Sequence, residues 1–185
     1  MIRILAVYFV PRRREVTLHR MKAIMLTLSR CQQFYAKQVA LALNWRLHPT
    51  PVLGSHETAK YNDDLCLVGE AREKTRCTVD TLGIFFDGHL SRSAFATIGD
   101  GGPEFFVIAQ PHLTHMERGR HSEVVTHEIG HTLGLDDRRD GLSIMRKDGG
   151  IANLAEPGLF PWTRAHLARD DREYLRKRWG HIEPN

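Results

Sequence analysis

The chain has 185 residues, of which 42% are hydrophobic and 26% charged, with a formal net charge of +4 at pH 7. These shares are typical of one globular domain and exclude a disordered, collagen-like or coiled-coil chain, and no apolar run reaches the roughly 18 residues of a membrane-spanning helix. The basic residues occur in short runs, at 12–14 and 176–178, which we interpret as solvated ends of elements, so we expect no nucleic-acid and no membrane partner.

The N-terminal part of the chain predicts a buried strand followed by a long helix. Residues 2–10 form a nearly continuous apolar run rich in β-forming side chains, which favours a first strand. The run is short and no small-residue cleavage site follows it, so this sequence shows no export signal. Between residues 17 and 43 apolar side chains recur at spacings of three and four, which predicts an amphipathic helix with Cys31 on its core face.

The next part of the chain is less regular. Residues 45–53 predict a second strand, which Pro49 and Pro51 place at an edge or make irregular because proline cannot donate to the ladder. Residues 56–80 are polar and predict loops with a short helix around Glu70.

Three more strands are expected before the chemistry-bearing segment, at 81–86, 93–98 and 104–109. A turn cluster of glycines separates the second of these from the third. The three cysteines do not make a disulfide framework, although one bridge between Cys66 and Cys77 stays open. An odd cysteine count without a CxxC motif fits a reducing compartment better than an oxidising one.

The C-terminal part predicts a helix at 122–133 ended by Gly134, an irregular stretch at 136–161, and a last helix from Thr163 to about Trp179. The order of elements indicates a single α/β or α+β domain whose C-terminal third is a smaller subregion.

The helix at 122–133 carries the sequence HExxH. Residues i and i+4 lie on one helical face, so His127 and His131 can both reach one metal ion, while Glu128 can reach a water at the metal. Zinc suits two imidazole nitrogens and a third protein ligand, with a fourth position left open. Because the chain has eleven histidines, HExxH alone is a weak signal. The residues that follow HExxH must therefore decide whether it marks a metal site.

The continuation is HEIGHTLGLDD, with Gly134 in the eighth position and Asp137 in the eleventh. A glycine that ends the helix lets the chain turn sharply and return the eleventh residue to the metal. Asp136 is a rival third ligand because it lies one step away, and a glutamate on a later helix, Glu156 or Glu173, is a further alternative. The register of the motif favours Asp137.

This stretch resembles the metzincin clan of zinc metallopeptidases, whose motif is HExxHxxGxxH or HExxHxxGxxD. HEIGHTLGL is similar to matrixin-type members, and an aspartate in the eleventh position is similar to the snapalysin branch. The residues LSIM at 142–145 resemble the clan's methionine turn, with Met145 beneath the metal. Two features differ: Lys147 stands where astacins and serralysins have tyrosine, and the paired cysteines that archaemetzincins carry after the third ligand are absent.

The resemblance implies a zincin-like fold, with a twisted mixed sheet, a long helix and an active-site helix. It implies one metallopeptidase domain over residues 1–185, with an upper part at 1–135 and a lower part at 136–185 that contains the methionine turn and ends in a helix.

The function implied is a zinc-dependent endopeptidase that hydrolyses peptide bonds through a metal-activated water. His127, His131 and Asp137 are the expected zinc ligands and Glu128 is the expected general base. A peptide or protein substrate is expected to lie along the strand near 94–98, with a specificity pocket formed from 146–161. We expect a monomer. The localisation stays open, because the sequence shows no export signal and the resemblance implies secretion only if the chain has been trimmed at its N-terminus. The alternative is a zinc-binding interaction module without proteolysis.

Other histidines are candidates for a second metal site. His89, His112 and His115 flank the strand region, and matrixins hold a structural zinc and calcium in comparable loops. The loop from Asp100 to Glu104 is a candidate for calcium on the same ground. We favour exposed or capping histidines and a plain turn over both.

Overall fold

The computed structural model describes residues 2–76, 78–97, 104–139, 143–146 and 166–180. These residues hold one six-stranded sheet in the order β2-β1-β4-β6-β5, with β3 also paired to β1. Neighbouring strands run parallel, except that β5 is antiparallel to β6. The strands are β1 (Ile2–Val10), β2 (Leu43–Leu47), β3 (Val52–Leu53), β4 (Thr81–Phe86), β5 (Ala94–Ala96) and β6 (Glu104–Ala109).

Helices cover both faces of the sheet. They are α1 (Leu18–Val39), α2 (Asp64–Thr75), α3 (Gln110–Met116), α4 (Ser122–Thr132) and α5 (Arg169–Trp179), with a 3₁₀ turn at Thr58–Asn62. One core cluster joins α1, α3, α4 and α5 to one face of the sheet, and a second joins α2 and the 3₁₀ turn to the other face. In the described part of the chain, no helix is long and apolar enough to cross a membrane.

Polar and apolar side chains do not alternate along β1, because this strand lies inside the sheet, between β2 and β4. Because successive side chains of a strand point to opposite faces, β1 must supply apolar groups to both cores. Its even-numbered residues from Ile2 to Val10 pack in the cluster with α1 and α4, and its odd-numbered residues from Leu5 to Phe9 pack with α2. The predicted buried first strand is confirmed.

Two of the elements that follow β1 have different bounds from those predicted. The helix predicted at 17–43 ends at Val39, because Ala40 adopts a left-handed conformation with φ of 56° and Leu43 already begins β2. The single strand predicted at 45–53 is two short strands, β2 and β3. The stretch between them contains both prolines, which cannot donate ladder hydrogen bonds.

Other boundaries were predicted with mixed success. The strands at 81–86 and 104–109 have the predicted bounds, and the helix around Glu70 is α2. Strand β5 covers three residues rather than 93–98. Helix α3 was missed because its seven residues are too short for a periodic pattern. Helix α5 begins at Arg169, later than predicted, while Thr163 lies outside the described residues.

The expected fold class, a mixed sheet with one long helix and a second helix that carries HExxH, is confirmed. The division at residue 135 into an upper and a lower part stays a prediction. Cys31 is buried, Cys66 is half-buried and both are free thiols, whereas Cys77 lies outside the described residues.

Candidate metal centre

Helix α4 ends in a turn that reverses the chain. Gly134 has φ of +92°, a conformation that strongly favours glycine, as the sequence predicted. The Gly134 N–H donates to the His131 carbonyl at 2.8 Å, and the Leu135 N–H donates to the Gly130 carbonyl at 3.0 Å. These two bonds form a Schellman motif. The turn returns Asp137 to the helical face that carries His127 and His131.

Three side chains meet on that face. The Nε2 atoms of His127 and His131 are 3.0 Å apart, and Oδ1 of Asp137 lies 3.3 Å from the first and 3.4 Å from the second. A tetrahedral zinc ion with bonds of about 2.0–2.2 Å places its ligand atoms about 3.3–3.6 Å apart. Among the described residues, this is the only group of three His, Cys, Asp or Glu side chains whose ligand atoms lie within 4.8 Å of one another.

The hydrogen bonds of the two Nδ1 atoms determine whether the Nε2 atoms can bind a metal ion. Nδ1 of His127 donates to the Ile144 carbonyl and Nδ1 of His131 donates to the Leu135 carbonyl, both at 2.8 Å. A carbonyl only accepts, so each Nδ1 carries a proton and each Nε2 of a neutral ring presents a lone pair. Burial lowers the pKa of His127, which keeps that ring neutral. Two lone pairs and a carboxylate oxygen then face one another, an arrangement that a cation stabilises.

A tight turn lies beneath α4. The Arg146 N–H donates to the Ser143 carbonyl at 3.1 Å, and Met145 within the turn is completely buried. A Cβ atom at Gly130 would overlap the Sδ atom of Met145, so a larger residue there would require the Met145 side chain or the helix to shift. The Arg138 N–H also donates to the Met145 carbonyl at 2.7 Å. The turn thus contacts both the helix and the segment that carries Asp137.

Helix α5 anchors this assembly through a buried carboxylate that the sequence analysis missed. Asp171 accepts from the Arg138 guanidinium at 3.1 Å and from the Ser143 hydroxyl at 3.5 Å. The Ser143 Oγ atom in turn accepts from the Met145 N–H at 3.2 Å. The adjacent acids Asp170 and Asp171 in the first turn of a helix were the available signal, but their partners are distant in sequence.

Glu128 is 6% exposed, beside the two histidines on α4. Burial raises the pKa of Glu128 to about 8, and the Asp137 carboxylate adds to this effect while Arg92 opposes it. A cation held by the three ligand atoms would favour the ionised carboxylate. The site therefore contains a carboxyl group whose proton affinity suits transfer near neutral pH.

Several other candidates are not part of this group. Asp136 is exposed and lies outside it, and Glu173 is paired with Arg169 at 2.8 Å. Glu156 and most of the predicted specificity segment, 147–161, lie outside the described residues. Of the predicted calcium loop, only Glu104 is described, where it accepts from the Thr97 hydroxyl at 2.6 Å. Nothing in the described residues supports calcium.

A second group of histidines forms, with different members from those expected. His112 and His115 come together with His121, whereas His89 is exposed and outside the group. The Nδ1 atoms of His112 and His121 are 2.9 Å apart, and the rings of His115 and His121 stack at 4.0 Å. Their ligand atoms do not converge as those of the first group do. We name this set the second histidine cluster.

No protein-family model matches the chain, and no curated protein matches it in sequence. Solved structures match it in fold. The archaemetzincin of Methanopyrus kandleri is similar with a TM-score of 0.55 and 13% identity, over 96% of each chain. The metalloproteinase-II of Bacteroides fragilis is similar with a TM-score of 0.58 and 13% identity, over 95% of this chain and 53% of that one.

The chain thus spans about half the length of the second protein. At such identities the likeness shows the fold alone, and it confirms the expected metzincin-like fold class. It does not support the snapalysin or matrixin branch, which the motif had suggested. An archaemetzincin is among the similar structures although this chain lacks the paired cysteines expected of that group.

Proposed function

We propose that this chain is a zinc-dependent endopeptidase in which His127, His131 and Asp137 hold the metal. The observation that carries the proposal is the convergence of two Nε2 lone pairs and one carboxylate oxygen at 3.0, 3.3 and 3.4 Å, with the histidine rings fixed by carbonyls on their far sides. The fold shared with proteins named archaemetzincin and metalloproteinase-II supports it.

The donor set favours zinc. Two imidazoles and one carboxylate, with a fourth position left open, are typical of catalytic zinc sites. Bound there, zinc would supply Lewis acidity to a scissile carbonyl and lower the pKa of a water. Asp137 adds a negative charge that a third histidine would not bring. Its side chain is 41% exposed, so the centre is open to solvent and substrate on that side.

Glu128 is the proposed general base. Its carboxylate accepts a proton from the attacking water while the water oxygen bonds to the peptide carbonyl carbon. It then passes that proton to the amide nitrogen as the carbon–nitrogen bond breaks, which returns Glu128 to its starting state.

Strand β5 offers a place for the substrate backbone. Within the described residues it pairs only with β6, so its other edge is open, and it packs against α4. An extended peptide can add to such an edge through main-chain hydrogen bonds. The side-chain specificity, the monomeric state and the absence of a nucleic-acid partner stay predictions.

Glu128→Ala tests the mechanism. We expect the purified variant to retain zinc near one per chain, as wild type does, and to lose peptide cleavage by about 10²–10⁴-fold in a mass-spectrometric assay on a peptide library. The control is Glu73→Gln, which changes an exposed carboxyl group on α2, outside the centre, and should leave cleavage near the wild-type rate. Cleavage that survives Glu128→Ala would contradict the mechanism.

The alternative from the sequence, a zinc-binding interaction module, predicts full zinc and no cleavage by the wild-type chain. It is not favoured because it gives no role to a buried carboxyl group beside the metal ligands.

A further inference from the structure

The second histidine cluster joins three parts of the fold. His112 and His115 lie three residues apart on α3, and His121 is the residue from which α4 starts. Nε2 of His112 also contacts the hydroxyl of Ser93 at 3.1 Å, and Ser93 immediately precedes β5. The cluster therefore links α3 to the first turn of the helix that carries HExxH and to the approach to the edge strand.

The hydrogen bond between His112 and His121 requires that at least one of the two rings be neutral. Between the Nδ1 atoms of His112 and His121, 2.9 Å apart, there is room for one hydrogen, donated by one ring and accepted by the other. If both rings become imidazolium, both Nδ1 atoms carry hydrogen and the bond is lost. The His115 ring stacks on His121, so charge on both of those rings also brings like charges face to face.

The surroundings offer little compensation for positive charge. Arg120 precedes His121, and Arg30 of α1 donates to the Gly119 carbonyl at 2.9 Å, so both neighbours from these sides are cations. Glu123 of α4 is the nearby acid, and burial raises its pKa, which disfavours its charged form. Nδ1 of His115 is buried and has no hydrogen-bond partner among the described residues.

We propose that the second histidine cluster is a pH-sensitive junction: uncharged, it holds α3 against the start of α4 and against Ser93, and protonation at mildly acidic pH releases these contacts. The release would reach both the catalytic helix and the substrate-binding edge, and this consequence for peptidase activity rests on the proposed function. The structural change itself does not.

The direction of the pH dependence follows from burial. Burial and the neighbouring histidines lower the pKa of His121 to about 4, and burial lowers that of His112. A histidine with a lowered pKa stabilises the fold above its ordinary value of about 6.5, and this contribution is lost as pH falls toward the folded-state value. The junction should therefore loosen between about pH 6.5 and about pH 4.

Two measurements on the full chain with its zinc test the proposal. Histidine NMR titration should give His112 and His121 apparent pKa values below the ordinary value of about 6.5. The hydrogen-exchange protection factors of amides 113–123, which correct for the slower intrinsic exchange in acid, should fall several-fold between about pH 7.5 and about pH 5, relative to those of amides of β1. Ordinary titration near pH 6.5 by both rings, or no selective change in exchange, would overturn the proposal.

Substitutions in the second histidine cluster distinguish its titration from other effects of acid pH on stability. His121→Asn keeps a side chain that tolerates the left-handed backbone, φ of 59°, and removes one titrating ring. It should flatten the pH dependence of the melting temperature, whereas His89→Asn should not. If His121→Asn fails to fold, His112→Gln serves the same comparison. Equal pH dependence in cluster variant and control would overturn the proposal, and none of these readouts requires peptidase activity.

Discussion

Two pairs of histidine nitrogens lie at nearly the same distance in this molecule, 3.0 Å for His127 and His131 and 2.9 Å for His112 and His121. In the first pair, backbone carbonyls hold both far nitrogens, so both near nitrogens are acceptors, and a carboxylate completes the triangle. In the second pair a hydroxyl holds one far nitrogen, and among the described residues no carboxylate joins the pair within ligand distance. The groups that the far nitrogens contact therefore distinguish the proposed cation site from the proposed proton-sharing pair.

The backbone elements that carry the two histidine pairs differ as well. His127 and His131 are four residues apart on one helix, which fixes their relative position. His121 lies in a turn with a left-handed backbone, and its partner His112 is on a seven-residue helix. A metal centre requires fixed ligand positions, whereas a titrating junction works because its parts can separate.

The largest expected difference between the pairs is in metal content. His131→Ala should reduce zinc from near one per chain to near none, because one of three protein ligands is lost. His112→Ala should leave the zinc content unchanged. Metal analysis of the two purified, folded variants measures both. Zinc loss in the second variant but not in the first would reverse the assignment of the pairs.

The next prediction concerns Asp137, whose carboxylate lies beside the first histidine pair. Asp137→Asn should weaken zinc binding by more than the roughly 10–100-fold typical of an outer-shell change, since it removes the charge of a ligand. Asp136→Asn, its exposed neighbour outside the group, should change zinc affinity little. Competition with a coloured chelator measures both affinities. A stronger effect at Asp136 would show that the neighbouring carboxylate is the ligand.

A smaller effect concerns the support under the first pair. A methyl group at Gly130 would overlap Met145 and approach the Tyr35 hydroxyl to 3.1 Å, so Gly130→Ala should lower the free energy of unfolding by about 1–3 kcal/mol. At exposed Gly69, in α2, a methyl group meets nothing within 4 Å, and Gly69→Ala should raise it by about 0.5–1 kcal/mol. Urea unfolding of both variants gives these values. Equal effects would mean that Met145 does not restrict the helix.

Features with a local signal could be predicted from the sequence. The spacing of HExxH, the glycine that ends α4 and the apolar run of β1 each depend on neighbouring residues, and each lies where it was expected. The convergence of Asp137 with the histidines follows from the same local turn.

Features that depend on distant partners could not be predicted. Asp171 meets Arg138, 33 residues earlier in the chain, through packing that no periodic pattern reveals. His121 joins the second cluster only because the short helix α3, itself too short to be recognised, brings His112 beside it. His89, which was grouped with His112 because both flank the strand region, is exposed and outside that cluster.

The position of β1 has a consequence for how the chain reaches its native state. Strand β1, the most N-terminal of the described strands, lies inside the sheet and pairs in parallel with β4, so that Ile4 is opposite Thr81. Parallel neighbours so far apart in sequence make folding slow, since a long loop must close before the strand gains its partner. Until then a nine-residue, largely apolar strand is exposed to other chains. We expect refolding yield to fall with protein concentration.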